Sequence, residues 1–288
     1  MKILVTGANG FIGRRLSARL IAQGHHVSGL SLTRPPSNDL KFQDYYQQDL
    51  SKPFSLNRSF DLVIHLAAYN ITNVGFKDTD LYTAINVQGT KNLLQAVETK
   101  KFVYLSTTKV YVNQGKPLTE ESPISPQGAY EQSKLKAEEL CRSFLNMESL
   151  VILRSVNVIG WGQAPKAVLP VFFHKARANQ PLDIINPSYS MQFIYVEDLI
   201  DAVEAVNDKP ISGIFNIANE EIISLEELAR RIIALMRSSS VLNIIKNSSE
   251  ILFSKVNSDK ANKSFGWKAQ TGLTEILELY EREYAKQI

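Results

Sequence analysis

Short apolar runs alternate with longer amphipathic stretches along the first half of the chain. Two of the runs, at 61–68 and 149–155, are continuous in Val, Ile and Leu, as strands are when helices cover both faces of their sheet. The longer stretches, at 11–23, 79–100 and 129–146, repeat their apolar positions at helical spacing. This alternation predicts an α/β fold built on a parallel, doubly wound sheet.

The pattern becomes less regular after Ser155, where Gly and Pro interrupt the apolar runs. We expect a first domain over residues 1–157 and a smaller C-terminal lobe over 158–288, with some segments within 190–217 returning to the first sheet. The later pattern predicts helices at 168–178, 197–207, 224–236 and 272–285, and strands at 191–196 and 213–217.

Composition narrows the class of protein. The 288 residues are 44% hydrophobic and 21% charged, as in an ordinary globular protein, which excludes disorder, collagen and a coiled coil. The net charge of +3 comes from scattered basic residues, so no nucleic-acid partner is expected. No apolar run approaches the roughly 20 residues of a membrane span, and the start of the chain lacks the pattern of a signal peptide. The single cysteine, Cys141, lies in a helical pattern as a small buried residue, and we expect a cytoplasmic protein.

A glycine-rich turn follows the first strand and opens the first helix. Its sequence, TGANGFIG, places Gly7, Gly10 and Gly13 where a tight turn, a close backbone approach and helix–strand packing are needed. Backbone N–H groups at a helix N-terminus bind the pyrophosphate of a dinucleotide. We therefore expect this loop, with Asn9, Phe11 and Ile12, to bind a dinucleotide cofactor; the alternative is a purely structural turn.

The second strand ends in residues that bear on which dinucleotide binds. An acidic side chain there would accept a hydrogen bond from a free ribose hydroxyl, but the chain has Ser31 at that place and Arg34 three residues on. A hydroxyl and a guanidinium suit a 2′-phosphate, so NADP(H) is favoured over NAD(H). The alternative is that Arg34 is only solvated. Asp49 and Leu50, after the third strand, are expected near the adenine, although a strand-end turn also explains Asp49.

Tyr130 and Lys134 are four residues apart and share one face of a predicted helix. An ammonium group near a phenol favours the phenolate and lowers its pKa. Thr107, at the end of the strand over 101–107, offers a hydroxyl that can bond the same substrate oxygen. Such a Tyr/Lys spacing is common by chance, but beside a dinucleotide site it predicts a proton-transfer site.

Several motifs in this order resemble those of the extended short-chain dehydrogenase/reductases, the NAD-dependent epimerase/dehydratase family. They are TGANGFIG, DLVIHLAA, INVQGTKNLL, LSTTKVY, YEQSK, FIYVEDLIDAV, GIFNIANEE and SFGW. The resemblance implies a Rossmann-type NAD(P)-binding domain over 1–157 and a substrate-binding lobe mainly over 158–288. It also implies a nucleotide-sugar substrate and a homodimer formed through the helices at 79–100 and 129–146.

The resemblance assigns roles to individual residues. Tyr130 would be the general acid/base, Lys134 would hold the nicotinamide ribose and lower the tyrosine pKa, and Thr107 would orient the reacting oxygen. Asn86 would pack or bond the backbone near the site. The same resemblance implies that Leu66, Ala67 and Ala68 line the cofactor and that Asn157 contacts the substrate.

The chain departs from the family at two places that bear on the reaction. Members that dehydrate a sugar carry an Asp-Glu pair after the catalytic Ser/Thr, whereas this chain has Thr108 and Lys109, so a dehydratase of the usual design is not expected. Met191 stands where many relatives have an arginine that binds the substrate diphosphate. Thr108 and Met191 are thus expected to face the substrate. Four other cations are candidates to replace the arginine: Arg154, Lys166, Lys175 and Arg177.

The sequence therefore favours an NAD(P)-dependent oxidoreductase or epimerase acting on a hydroxyl or keto group of a sugar, by keto-reduction or 4-epimerisation. Two alternatives stay open, an NADPH-dependent reductase of a non-sugar carbonyl and a non-catalytic dinucleotide sensor. No metal site is expected, because the four histidines lack ligand spacing. His65 is expected to be buried and hydrogen-bonded.

Overall fold

Six strands and several helices make up the first 155 residues of the structure, a computed structural model that describes residues 1–35, 39–70, 79–187, 189–207, 209–245 and 253–286. The strands are β1 (Lys2–Thr6), β2 (His26–Ser31), β3 (Asp44–Gln47), β4 (Arg58–His65), β5 (Val97–Thr107) and β6 (Leu150–Ser155). The helices are α1 (Phe11–Ala22), α2 (Thr79–Leu81), a π-helical segment (Tyr82–Gln88), α3 (Gly89–Ala96) and α4 (Ala129–Phe144).

The second half contains shorter elements. Its strands are β7 (Asn157–Ile159), β8 (Leu182–Ile185), β9 (Ser190–Tyr195), β10 (Gly213–Ile217), β11 (Ile222–Ser224) and β12 (Leu242–Ile245). Its helices are α5 (Val168–Arg177), α6 (Val196–Asn207), α7 (Leu225–Leu235), α8 (Asp259–Phe265) and α9 (Leu273–Ala285).

Seven strands form one parallel sheet in the order β10-β6-β5-β4-β1-β2-β3. The doubly wound parallel sheet expected from the sequence is confirmed. The strand order reverses between β1 and β4, and in open α/β sheets the crevice at such a reversal is where ligands bind. The carboxyl ends of β1 and β4 are therefore the place to look for a site.

Alternate residues of the central strands pack into two apolar layers, one on each face of the sheet. Ile3 and Val5 of β1 belong to one layer, while Leu4 between them belongs to the other. Every residue of β6 is buried. Burial on both faces explains why these strands appear in the sequence as continuous apolar runs.

The helix expected over 79–100 is shorter in the structure, because its last residues belong to the sheet. α3 ends at Ala96, and β5 begins at Val97, opposite Arg58 of β4. The stretch at 98–101 is polar and gives no strand signal in the sequence. Backbone pairing with β4 nevertheless holds it extended, so tertiary contact overrides the local pattern.

The second half adds two small sheets and a separate apolar core. β9 lies between β11 and β7 in a three-stranded sheet, and β12 pairs with β8. Helices α5, α7 and α9 enclose this core, where the rings of Phe173 and Tyr280 lie 4.6 Å apart. Among the helices that the structure describes, none is long and apolar enough to cross a membrane.

Candidate active site

The glycine loop between β1 and α1 is a tight turn closed by its own backbone. Gly7 has a φ of 68°, which glycine adopts without strain, and its carbonyl accepts a hydrogen bond from Gly10 N–H at 2.8 Å. A Cβ on Gly13 would lie 2.1 Å from the Gly7 oxygen, and a Cβ on Gly7 would lie 2.9 Å from the Ala67 nitrogen. Glycines at these positions therefore let the loop, the helix and the end of β4 approach one another.

The N-terminus of α1 fits an anionic ligand. Gly10 is the N-cap, no side chain caps the helix, and its first turn holds no acidic residue. The first N–H groups of a helix lack intrahelical partners and carry partial positive charge. The backbone at Phe11, Ile12 and Gly13 thus suits the pyrophosphate of a dinucleotide such as NAD(P).

Asn9 connects the glycine loop to the end of β2. Its backbone N–H donates to Ser31 Oγ at 3.0 Å, and its side-chain amide donates to Thr33 Oγ1 at 2.9 Å and to the Arg34 carbonyl at 3.1 Å. Ser31 is buried and Arg34 is exposed. The two residues predicted to meet the ribose therefore lie next to the loop predicted to bind the pyrophosphate.

A cavity of about 700 Å³ opens at the ends of β2 and β3. The Asp49 carboxylate accepts hydrogen bonds from the Ser51 hydroxyl and N–H at 2.7 and 2.9 Å, and these bonds lower its pKa. Leu50 is buried, and its carbonyl accepts a bond from Asn92. Asp49 thus closes a turn while it borders the cavity, which is lined by Leu32, Arg34, Tyr45, Tyr46, Gln47, Gln48, Asp49, Ser55 and Leu56.

The end of β4 is fixed by a buried histidine, as the sequence predicts. His65 Nδ1 lies 2.7 Å from Thr6 Oγ1 and its Nε2 lies 2.9 Å from Thr90 Oγ1. Burial lowers the His65 pKa to about 3, so the ring is neutral near pH 7. Thr6 Oγ1 also accepts from Ala67 N–H at 3.2 Å, which places the Leu66–Ala68 stretch beside the glycine loop.

Lys134 fixes the position of α4 on the sheet. Its ammonium donates to the Leu105 carbonyl of β5 at 2.6 Å and lies 4.2 Å from the centre of the Tyr104 ring. Tyr130 lies one turn earlier on the same helix and is partly buried, with its ring centre 6.0 Å from that of Tyr82. The i,i+4 pair therefore lies on the side of α4 that faces the carboxyl end of β5.

The pKa of Tyr130 is shifted in the opposite direction to the one expected from the sequence, and the pKa of Lys134 is shifted as well. Burial, reinforced by Glu131 and Tyr82, raises the pKa of Tyr130 well above its ordinary value. Burial lowers the pKa of Lys134 to about 7, even though the Glu138 charge acts in the opposite direction. The sequence predicted that Lys134 would lower the tyrosine pKa, but in the protein alone the loss of solvation dominates.

Asn86 joins the end of β4 to α4. Its side chain accepts from Tyr69 N–H at 2.7 Å and donates to the Tyr69 carbonyl at 3.0 Å and to Ser133 Oγ at 2.9 Å. The Ser133 hydroxyl in turn donates to the Tyr130 carbonyl at 2.7 Å. The backbone-bonding role expected of Asn86 is confirmed, and Ser133, which the sequence analysis did not single out, completes the connection.

Thr107 is the last residue of β5, and its hydroxyl oxygen accepts from Lys109 N–H at 3.3 Å. Thr108 is also buried, and its hydroxyl lies 3.5 Å from the Ser155 carbonyl oxygen. Lys109 is exposed. The positions after Thr107 therefore hold one buried hydroxyl and one exposed cation, with no carboxylate.

The two residues expected to face the substrate from the second half differ in their exposure. Asn157 is exposed, and its amide nitrogen lies 3.4 Å from the Gln192 carbonyl oxygen. Met191 is 8% exposed and packs in the apolar core of the second half. Its side chain therefore has little surface left for a substrate.

Arg154 is wrong as a substitute for the missing substrate-binding arginine. It is fully buried, and it donates to both carboxylate oxygens of Glu138, from Nε at 3.0 Å and from Nη2 at 2.6 Å. Lys175 pairs with Asp183 at 2.6 Å, and the Arg177 guanidinium lies 5.7 Å from the Tyr284 ring centre. Glu138 was not predicted from the sequence, although its position one helical turn after Lys134 was the available signal.

The arrangement brings a helix N-terminus that fits a dinucleotide to the same edge of the sheet as a phenol, an ammonium and a hydroxyl. A phenol that exchanges a proton with a substrate oxygen is a general acid/base. The site can therefore support proton transfer coupled to the redox chemistry of a nicotinamide.

Two curated proteins with similar sequences carry the name dTDP-D-glucose 4,6-dehydratase. The dTDP-D-glucose 4,6-dehydratase of Mus musculus is 26% identical over 98% of this chain and 89% of its own length. The Dictyostelium discoideum protein of the same name is 28% identical over 81% of this chain, and that match spans 61% of the Dictyostelium protein.

A solved structure is similar along the whole chain. The UDP-glucuronic acid 4-epimerase from Bacillus cereus, in complex with UDP-glucuronic acid and NAD, has a TM-score of 0.87 and 27% sequence identity. The likeness covers 100% of this chain and 99% of that one.

A family model described as "NAD dependent epimerase/dehydratase family" matches residues 3–218. This range contains the glycine loop, the end of β4, Thr107 and the Tyr130/Lys134 pair. The family expected from the sequence motifs is confirmed, and with it an enzyme: the chain belongs to the NAD dependent epimerase/dehydratase family.

Proposed function

We propose that this protein uses NAD(P) to oxidise or reduce a hydroxyl or keto group of a nucleotide sugar. The reaction is either 4-epimerisation through a keto intermediate or reduction of a keto-sugar. Tyr130 is the general acid/base, Lys134 binds the nicotinamide ribose, and Thr107 orients the reacting oxygen. The enzyme relatives and the 4-epimerase likeness support the substrate class.

One observation carries the proposal, a continuous series of contacts from the glycine loop to the proposed acid/base. Gly7 lies against Ala67, and the same segment continues to Tyr69, which Asn86 binds through both backbone groups. Asn86 then binds Ser133, the residue beside Lys134 on α4. A dinucleotide on the loop and a substrate at the end of β5 would share one crevice.

Tyr130 moves the proton in this proposal. Its raised pKa means that the phenol holds its proton at neutral pH and can donate it to the oxygen of a keto group. In the oxidative direction Tyr130 must first release that proton and then accept one from the sugar hydroxyl. The Lys134 ammonium, one turn away, stabilises the phenolate at that stage. A bound nicotinamide supplies the hydride acceptor and donor.

The residues after Thr107 argue against dehydration. Elimination of water from a sugar needs an extra acid and base, and Thr108 and Lys109 cannot supply a carboxylate pair. Although the curated relatives above are 4,6-dehydratases, the pair at 108 and 109 favours epimerisation or keto-reduction for this chain.

NADP(H) is the cofactor that the end of β2 favours. Residues 31–38 contain no acidic side chain, Ser31 offers a hydroxyl, and the exposed Arg34 guanidinium borders the cavity. Arg34→Ala should weaken NADPH binding by about tenfold, the effect of losing one charged hydrogen bond, and should leave NADH binding unchanged. Lys41→Ala, an exposed cation outside the cavity lining, is the control in a titration of nucleotide fluorescence. Equal affinities of the wild type for both nucleotides would refute the preference.

The second half of the chain would hold the rest of the substrate. Asn157 is exposed at the start of β7, and Lys166 and Arg177 are the exposed residues among the cations considered for the diphosphate. Three expectations stay predictions: a homodimer through the helices expected at 79–100 and 129–146, the lobe boundary near residue 158 and a cytoplasmic location.

The deciding experiment is a turnover assay with a panel of nucleotide sugars and keto-sugars. We expect Tyr130→Phe to abolish turnover while cofactor affinity stays near that of the wild type, because only the exchangeable proton is lost. Tyr284→Phe, on α9, is the matched control and should remain active. Full activity in Tyr130→Phe would overturn the acid/base assignment.

Nucleotide released from the purified protein separates the rival functions. Tightly held NAD favours the epimerase, which returns its hydride, and an empty site that binds NADPH favours the reductase. Turnover of aldehydes or aryl ketones alone would identify a non-sugar reductase. Nucleotide binding without turnover on any substrate would identify a sensor.

A further inference from the structure

Glu138 is a fully buried carboxylate whose contacts reach three elements. It lies on α4, and it accepts hydrogen bonds from Ser106 Oγ on β5 at 2.5 Å and from Arg154 on β6 at 3.0 and 2.6 Å. Arg142, one turn further along α4, adds a contact at 3.1 Å. Buried charges of this kind persist only when they are paired and hydrogen-bonded, as this one is.

The contacts of α4 with β5 fall on consecutive residues of the strand. Lys134 bonds the carbonyl of Leu105, and Glu138 bonds the hydroxyl of Ser106. The next residue of the strand is Thr107, whose hydroxyl belongs to the proposed site. The two bonds, one helical turn apart, therefore fix the register of α4 against the strand end. Ser106 is also the residue directly opposite Arg154 in the pairing of β5 with β6.

The charge of the Glu138 carboxylate also acts on Lys134, four residues earlier on the same helix. Three other groups that interact with Lys134, namely His65, Tyr104 and Cys141, are neutral near pH 7. Burial lowers the pKa of His65 to about 3 and raises the pKa values of Tyr104, Tyr130 and, to about 12, Cys141. Burial lowers the pKa of Lys134, and the Glu138 charge opposes that shift, so loss of this charge would make the ammonium easier to deprotonate.

We propose that Glu138 is a positioning residue: it holds the helix of Tyr130 and Lys134 against the end of β5 and provides the counter-charge for the buried ammonium. The proposal rests on the proposed function for the roles of Tyr130 and Lys134. It goes beyond that function, because it assigns part of the proton-transfer site to a side chain that touches neither substrate nor cofactor.

The test compares Glu138→Gln, which keeps the shape of the side chain and removes its charge, with Glu139→Gln, an exposed neighbour on the same helix. The first readout is the titration of Lys134 in the cofactor-free protein, followed by NMR with ¹³C-labelled lysine and assigned with Lys134→Met. The second readout is the pH profile of kcat and kcat/KM.

For Glu138→Gln we expect the Lys134 midpoint to fall by about one pH unit, because an opposite charge has been lost. The pH profile should move in the same direction, and kcat should fall at least tenfold with a smaller change in KM. Glu139→Gln should leave both readouts unchanged. A folded Glu138→Gln protein with the wild-type Lys134 midpoint and the wild-type profile would overturn the proposal.

Glu138→Gln leaves the buried Arg154 charge without its partner and can prevent folding. The double variant Glu138→Gln/Arg154→Met removes both charges and serves as the second test. A downward shift of the Lys134 midpoint is expected in it as well, smaller than in Glu138→Gln because a positive charge is removed together with the negative one. A Lys134 midpoint that is unchanged in both variants would contradict the proposal.

The two readouts separate this proposal from the proposed function. A wild-type protein that turns over no sugar, while Glu138→Gln shifts the Lys134 midpoint, would refute the proposed function and leave the counter-charge in place. If the wild type is active and the Lys134 midpoint is the same in Glu138→Gln as in the wild type, the role proposed for Glu138 is refuted and the proposed function is not.

Discussion

The ammonium of Lys134 donates a hydrogen bond to the carbonyl oxygen of Leu105 at 2.6 Å, two residues before the end of β5. A buried lysine that has an acceptor in the sheet keeps one orientation, so its remaining N–H groups are held in place as well. Tyr130, one turn earlier on α4, is thereby held over the same edge of the sheet. The relationship connects the proposed acid/base to the strand that ends at Thr107.

Lys134→Met should reduce both catalysis and cofactor binding. The change removes the charge that stabilises the phenolate and the donor proposed for the nicotinamide ribose, while the aliphatic stem keeps its packing. We expect kcat/KM to fall by about 100-fold or more, the range for loss of a proton-transfer component. Steady-state kinetics and nucleotide titration measure the two effects separately.

Lys136→Met is the control, since Lys136 is exposed on the same helix two residues away. Its kinetics should match those of the wild type. If Lys134→Met were as active as Lys136→Met, the buried lysine would have no part in the chemistry.

Gly13→Ala should weaken nucleotide binding. The new Cβ would lie 2.1 Å from the Gly7 carbonyl oxygen, so the loop must move away from the start of α1. We expect the Kd for NAD(P) to rise at least tenfold, because displaced N–H groups no longer converge on the pyrophosphate. Gly272→Ala, where a Cβ meets nothing within 4 Å, is the control in the same titration. Unchanged affinity in Gly13→Ala would remove the loop from the binding site.

The central sheet and the glycine loop were predictable because each depends on residues that are contiguous in the sequence. The runs at 61–68 and 149–155 are apolar because both faces of the sheet are buried. β10 was also predicted, at 213–217. The strands at 157–159 and 222–224 were not, because three residues are too few to show a period.

The polar network beneath the site could not be predicted, because its members are far apart in the chain. Ser106 and Arg154 meet Glu138 only when β5, β6 and α4 have packed together. The same packing removes solvent from Tyr130 and Lys134, and loss of solvation reverses the pKa shift that their spacing predicts for the phenol. Local spacing therefore identified the pair but not its proton affinities.

His65 makes stability depend on pH in a defined direction. Its pKa of about 3 in the fold is below the ordinary value of 6.5, so the unfolded chain binds a proton first as the pH falls. The contribution of His65 to the free energy of unfolding is therefore complete above pH 6.5. Below that pH it decreases by about 1.4 kcal/mol per pH unit. In His65→Asn the fall between pH 6.5 and about 5 should be correspondingly smaller.

Urea unfolding at several pH values measures this dependence, with His26→Asn as the control because His26 is exposed at the start of β2. The control should keep the wild-type slope of unfolding free energy against pH. A wild-type slope in His65→Asn would show that the buried ring is not the group responsible.

Asn86 and Asn92 provide a matched pair for separating catalysis from stability. Both are buried in the continuous helical stretch over 82–96. Each binds the backbone of a different loop: Asn86 binds Tyr69, and Asn92 donates to the Leu50 carbonyl. Alanine at either site should lower the free energy of unfolding by about 1–3 kcal/mol, because buried backbone groups lose their partners. Only Asn86→Ala also cuts the bond to Ser133 on α4, so it alone should lower kcat, by about 10- to 100-fold for a misplaced acid/base. Urea unfolding and steady-state kinetics on the same preparations decide the outcome, and equal kcat in the two variants would mean that the link to α4 does not position Tyr130.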